Sequence, residues 1–127
     1  MLEIERVDFV SLPARDLARV REFYGGTLGL PESTPEDFEY PEFETANVTL
    51  NFWRPEQYGL EFSPNQGSVA IRVPDVAAAR DRLEGAGVEF DGETQDTGVC
   101  HMAFFRDPDG NSLILHRRYA PLERRHA

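Results

Sequence analysis

Four side chains in the second half of the chain could carry chemistry by type alone: Arg72, Cys100, His101 and His116. A guanidinium inside the strand-like run "SVAIRV" can donate a pair of hydrogen bonds to a ligand carboxylate or phosphate. Arg72 could equally pair with one of the 23 acidic side chains of the chain or extend to solvent, and that reading is preferred. An imidazole can move a proton near neutral pH or ligate a metal. Cys100 and His101 are adjacent in a strand, so they point to opposite faces and cannot hold one ion together. Cys100 would act as a nucleophile only as a thiolate, and no dedicated base for it is visible. His116 either reaches the face that carries Ile114 or sits at an exposed strand end beside Arg117 and Arg118. For both histidines a structural or surface role is the preferred reading, and His126 lies in a tail that carries no inference.

These residues need elements to position them. In "FFRDPDGNSLILH", Pro108 presets the second turn position and Gly110 can take a positive φ at the fourth, so the stretch reads as two strands joined by a reversal. A shift of 59 residues lays "VDFVSLPARDLARVREFYGG" over the segment from Ser68, matching Val10 to Val69, Asp16 to Asp75 and Arg21 to Arg80. Each copy reads as an alternating strand, an aspartate able to cap a helix, and a short amphipathic helix. Leu17, Val20, Phe23 and Tyr24 form the first apolar stripe; Val76, Ala79, Leu83 and Ala86 form the second. Gly25, Gly26, Gly85 and Gly87 are read as helix-end punctuation. Strand-like runs follow each helix: "EYPEFETA" and "NVTLNFW", then "VEF", "GVCHMAFF" and "SLILHRRY". The expectation is an α+β chain of two tandem βαβββ modules. All 127 residues are expected to form one domain, with module one at about 4–56, a linker at about 57–66, module two at about 67–120 and a tail at 121–127.

Strand parity divides the side chains. The aliphatic parity should pack on the helices: Val10 and Leu12; Val48, Leu50 and Phe52; Val69, Ile71 and Val73; Leu113 and Leu115. The other parity leaves Phe9, Ser11, Thr49, Asn51, Trp53, Ser68, Ala70, Arg72, Ser112, Ile114 and His116, to which Cys100, Met102 and Phe104 are joined. Aromatics with a few polar groups are what a small-molecule pocket uses. The same faces could instead close on each other or on a second subunit.

The net charge is −10, and "PESTPEDFEYPEFET" holds six acids and no base, while the basic cluster is confined to the last twelve residues. That balance repels polyanions and argues against nucleic acid as a partner. The acidic run reads first as a solvated loop and second as a mouth that attracts cations. A single cysteine, no visible leader and no long apolar run lead to the expectation of a cytoplasmic protein without membrane or disulfide.

With "VDFVSLPARDLARVREFYGGTLGL" near the start and "FFRDPDGNSLILH" near the end, the chain resembles the vicinal oxygen chelate superfamily from about Ile4 to Tyr119. That group includes glyoxalases, bleomycin-resistance proteins, fosfomycin-resistance enzymes and extradiol dioxygenases. The resemblance implies paired βαβββ modules whose sheets curl into a cup with helices outside, commonly in a homodimer. It also implies four metal-ligand positions, which fall on Phe9, on Asn51 or its neighbour Leu50, on Ser68 and on Ile114. A phenyl ring and a sec-butyl group offer no lone pair to a divalent ion, so no metal and no other cofactor is expected. The leading expectation is therefore a metal-independent small-molecule-binding homodimer of the bleomycin-resistance type. The alternatives are an enzyme with a non-standard site using His101 or His116, and an interaction module whose pocket its own side chains fill.

Overall fold

The computed structural model describes residues 1–121. Contacts divide it into two units: Met1–Asn65 with Pro108–Asn111, and Gln66–Asp107 with the segment from Ser112 onward.

The first unit contains strand β1 (Phe9–Pro13), helix α1 (Leu17–Val20) running on as a π-helical segment (Arg21–Thr27), strands β2 (Glu42–Glu44) and β3 (Thr49–Trp53), and a 3-10 turn (Pro55–Tyr58). Its sheet has the order β1-β3-β2, with β1 and β3 parallel and β2 and β3 antiparallel. Asp16 caps α1 by accepting hydrogen bonds from the backbone N–H groups of Ala18 and Arg19, satisfying donors that have no partner within the helix. Helix and sheet then bury Leu12, Val20, Tyr24, Phe43, Leu50 and Phe52, each 2% exposed or less. The Tyr24 and Phe52 rings lie 4.5 Å apart, with Phe43 at 6.2 Å from both. Burial of each such side chain stabilises the unit by about 1.5–3 kcal/mol.

Gly25 and Gly26 lie inside the π-helical segment rather than at its end, and the left-handed residue beyond it is Gly29, with φ 74°. Gly25 is there for space: a Cβ would stand 3.1 Å from Cε1 of Phe43. The first module also has one strand fewer than the repeat led us to expect. The missing strand is reduced to a single bridge between Glu32 and Phe43, in a segment where Pro31, Pro35 and Pro41 cannot donate to a ladder.

The second unit contains β4 (Val69–Arg72), α2 (Val76–Gly85), β5 (Phe90–Asp96), β6 (Cys100–Arg106) and β7 (Ser112–Arg118), in the sheet order β4-β7-β6-β5. Asp75 caps α2 at the backbone N–H of Ala78. Val76 and Leu83 are buried, whereas Ala86 lies past the last turn and is exposed, so it drops from the expected stripe. The helix covers Ala103, Phe105, Leu113 and Leu115, all 3% exposed or less. β5 begins where "VEF" ends and runs through polar residues to Asp96, with a register irregularity between Asp91 and Gln95. Such a bulged, charged edge strand resists pairing with other chains.

The turn Pro108–Asn111 belongs to the first unit. Asn111 is fully buried; its amide donates to the Pro13 carbonyl at 2.9 Å and its oxygen accepts from the Asn65 N–H at 2.8 Å. Asp109 accepts from the Arg15 N–H at 3.1 Å. Gly110 has φ 91°, as the turn requires. No helix among the described residues is long and apolar enough to cross a membrane.

Candidate functional site

Each sheet has one face turned away from its helix, and the pairing registers fix which side chains share it. On the first sheet Phe9 stands beside Thr49 and Ser11 beside Asn51, with Trp53 at the strand end. Leu50 is fully buried on the helix side, so Asn51 rather than Leu50 takes the open-face position. Across from Asn51 and Thr49 stand Glu42 and Glu44. Sequence reasoning passed over these two carboxylates, although the alternation around buried Phe43 in "PEFET" was the signal that could have found them.

This first face is hydrogen-bonded within itself. The Ser11 hydroxyl donates to Oδ1 of Asn51 at 2.9 Å. Glu44 accepts from Ser33 at 2.5 Å and from Thr49 at 2.7 and 2.8 Å. The hydroxyls of Ser33 and then Thr49 hold the Glu44 carboxyl below the usual carboxylate range. Trp53 packs against Tyr58 with ring centroids 6.1 Å apart, and Phe9 is 56% exposed.

On the second sheet Arg72 stands beside His116, His116 beside Met102, and Ile114 between Ala70 and Phe104. Met102, Phe104, Ile114 and His116 therefore form one continuous face with Arg72, as the parity argument expected. Ser68, just ahead of β4, shares a hydrogen bond with Ser112 at 2.5 Å. Ile114 is 8% exposed, Met102, Phe104 and His116 are half-buried, and Arg72 is exposed. Cys100 is buried in register with Arg118, its sulfur 3.1 Å from the Thr97 hydroxyl.

His101 is on the opposite face, with Ala103 and Phe105. Its Nε2 lies 3.4 Å from Asp96 and its ring 5.0 Å from that of Tyr119. The Tyr119 hydroxyl donates to Asp96 at 2.6 Å; that bond, and then the Gly98 N–H, hold the carboxyl low, while the same contact raises the Tyr119 hydroxyl. His101 thus ties strand ends together rather than facing the same side as His116, and His126 is outside the described residues.

The four positions that would hold a metal in the resembling enzymes do not fit one. Phe9 and Ile114 have no lone pair, and Asn51 and Ser68 offer a neutral amide and a hydroxyl already engaged by Ser11 and Ser112. Among the described residues no three His, Cys, Asp or Glu side chains converge as a metal site requires.

Comparison with known proteins agrees with the fold. The family model of the Glyoxalase/Bleomycin resistance protein/Dioxygenase superfamily matches residues 6–115. A "probable lactoylglutathione lyase" of Vibrio parahaemolyticus is 28% identical, over 87% of this chain and 88% of its own. A lactoylglutathione lyase of Pseudomonas putida is 43% identical over 44 residues, which are 35% of this chain and only 25% of that protein's length. Among solved structures, TnmS3, an antibiotic binding protein from a Streptomyces species, superposes with a TM-score of 0.77 at 25% identity, covering 93% of this chain and 99% of its own. A lactoylglutathione lyase from Agrobacterium tumefaciens gives 0.75 at 18% identity, covering 90% and 94%, a likeness of fold alone.

Proposed function

The chain belongs to the glyoxalase/bleomycin resistance protein/dioxygenase superfamily, and from that premise we propose that it is a metal-independent small-molecule-binding protein. The observation that carries this reading is the chemistry of the four inherited metal positions: Phe9, Asn51, Ser68 and Ile114 supply no carboxylate, imidazole or thiolate. The antibiotic-binding relative, similar over nearly its whole length, supports a role in holding a molecule rather than converting it. The proposed ligand contacts are Phe9, Ser11, Thr49, Asn51 and Trp53 on the first open face. On the second they are Ser68, Arg72, Met102, Phe104, Ile114 and His116. The protein acts as a cytoplasmic homodimer in this reading.

A thermal-shift screen against divalent metals, a chelator and a panel of aromatic metabolites and antibiotics tests it. A compound present at 100 times its dissociation constant adds about 2.7 kcal/mol of stability, a readily visible shift. Metals and chelator should leave the melting temperature unchanged. A stoichiometric divalent metal together with turnover of a glyoxalase or dioxygenase substrate would overturn the reading.

The similarity to the Vibrio protein favours one second reading, an enzyme in which His116 serves as general base. His101 drops out of it, being on the opposite face from Arg72 and Met102. Turnover that falls in acid, and that is lost on His116→Gln, would establish this reading in place of the first.

A further inference from the structure

The open face of the second sheet carries an uncompensated positive charge over an apolar floor. Arg72 on β4 and His116 on β7 are register partners on neighbouring strands, about 4.8 Å apart. Met102 stands on the far side of His116, and Phe104 and Ile114 complete the floor. Three other cations of this sheet and its helix are committed, while the exposed Arg82 lies on the helix and Arg117 on the face opposite His116. Arg80 donates to Thr94 and the Gly92 carbonyl, Arg106 pairs with Asp91 at 3.2 Å, and Arg118 donates to the carbonyls of Ala120 and Pro121. Asp91, the carboxylate registered beside Phe104, is thereby already matched. Among the described residues, Arg72 has neither an acid within ion-pair distance nor a hydrogen-bond acceptor, in a chain with 23 acids to choose from.

We infer that this face recognises an organic carboxylate: Arg72 donates a bidentate pair to it, His116 adds a further donor, and Phe104, Met102 and Ile114 receive an aromatic or aliphatic body. The guanidinium fork matches a planar carboxylate, and charge-assisted bonds of this kind are the strong ones. The floor supplies the apolar contact that an inorganic anion cannot use. The inference rests on the small-molecule-binding reading and narrows it to a ligand class.

Isothermal titration of the intact protein with 1-naphthoate, 1-naphthamide and 1-naphthylmethylammonium separates the two claims. The carboxylate should bind at least tenfold more tightly than the amide, and the ammonium most weakly. Arg72→Gln should abolish that preference while leaving the melting temperature unchanged, and Arg72→Lys should retain part of it. Phe104→Ala should weaken carboxylate and amide by a similar factor. If amide or ammonium binds as tightly as the carboxylate, the ligand class is overturned and the binding reading stands. If none of the three binds and the broader panel is also inert, both fall.

Discussion

The two open sheet faces are built from the same repeat and differ in how their polar groups are satisfied. On the first, Ser11 is joined to Asn51 and Glu44 to Ser33 and Thr49, so these polar atoms answer one another, and the Glu42 carboxylate beside Asn51 stands outside that network among the described residues. On the second, Arg72 stands beside His116 without an acid, above Met102, Phe104 and Ile114. A satisfied network lends rigidity, whereas an unanswered charge on an apolar floor is the pattern expected of recognition. The same repeat thus carries a hydrogen-bonded polar network on one face and an unanswered cation on the other, by side-chain chemistry alone.

The largest effect that would test this division comes from adjacent phenylalanines on opposite faces of β6. Phe105 is fully buried and stacks on Phe90 at 5.0 Å, so Phe105→Ala should cost about 3–5 kcal/mol in urea unfolding. Phe104→Ala, at a half-buried position, should cost about 1 kcal/mol. A larger loss at Phe104 would reverse the assignment of faces on which the comparison rests.

Next in size is Asn111→Ala. It strands the Pro13 carbonyl and the Asn65 N–H without their buried partner, at a cost of about 2–3 kcal/mol in the same assay. A near-neutral result would show that the polar groups of the first unit are less self-satisfying than the contrast requires.

Much of this architecture was legible because it follows from local chemistry. Asp16 and Asp75 read as caps, and Asn51 was placed opposite Leu50, because a strand alternates with period two. What escaped was non-local or lacked apolar signal. β5 is almost wholly exposed, so no hydrophobic alternation announces it. Gly25 reads as punctuation until Phe43, eighteen residues away, is seen to occupy its Cβ space. Asn111 reads as a turn residue because its partners at Pro13 and Asn65 are distant in sequence. The open-face set itself was grouped by parity, but parity cannot say that Glu44 is answered and Arg72 is not.

Acid should then weaken the Glu44 network of the first face. Hydrogen bonds from Ser33 and Thr49 lower the folded-state pKa of Glu44 below its ordinary 4.5. Its contribution to stability is therefore fully present above that value and is lost as pH falls through the lower folded value. Glu44→Gln should flatten this part of the stability profile below about pH 4.5. An unchanged profile would mean that the two hydroxyls do not bind the ionised form preferentially.

The smallest expected change is in the stability of Arg72→Gln, and the comparison turns on it. Arg72 is exposed and, among the described residues, unpartnered, so removing its charge breaks no internal bond. Surface substitutions of this kind change stability by no more than about 0.5 kcal/mol. If Arg72 were a structural residue like its counterparts Arg80 and Arg106, both of which hold β5 residues, its loss should exceed that bound and the melt should broaden or shift downward. An unshifted melt, with the organic-carboxylate preference gone, would leave recognition as the only role for the charge. A shifted melt would make the second face as self-answering as the first, and the distinction between them would disappear.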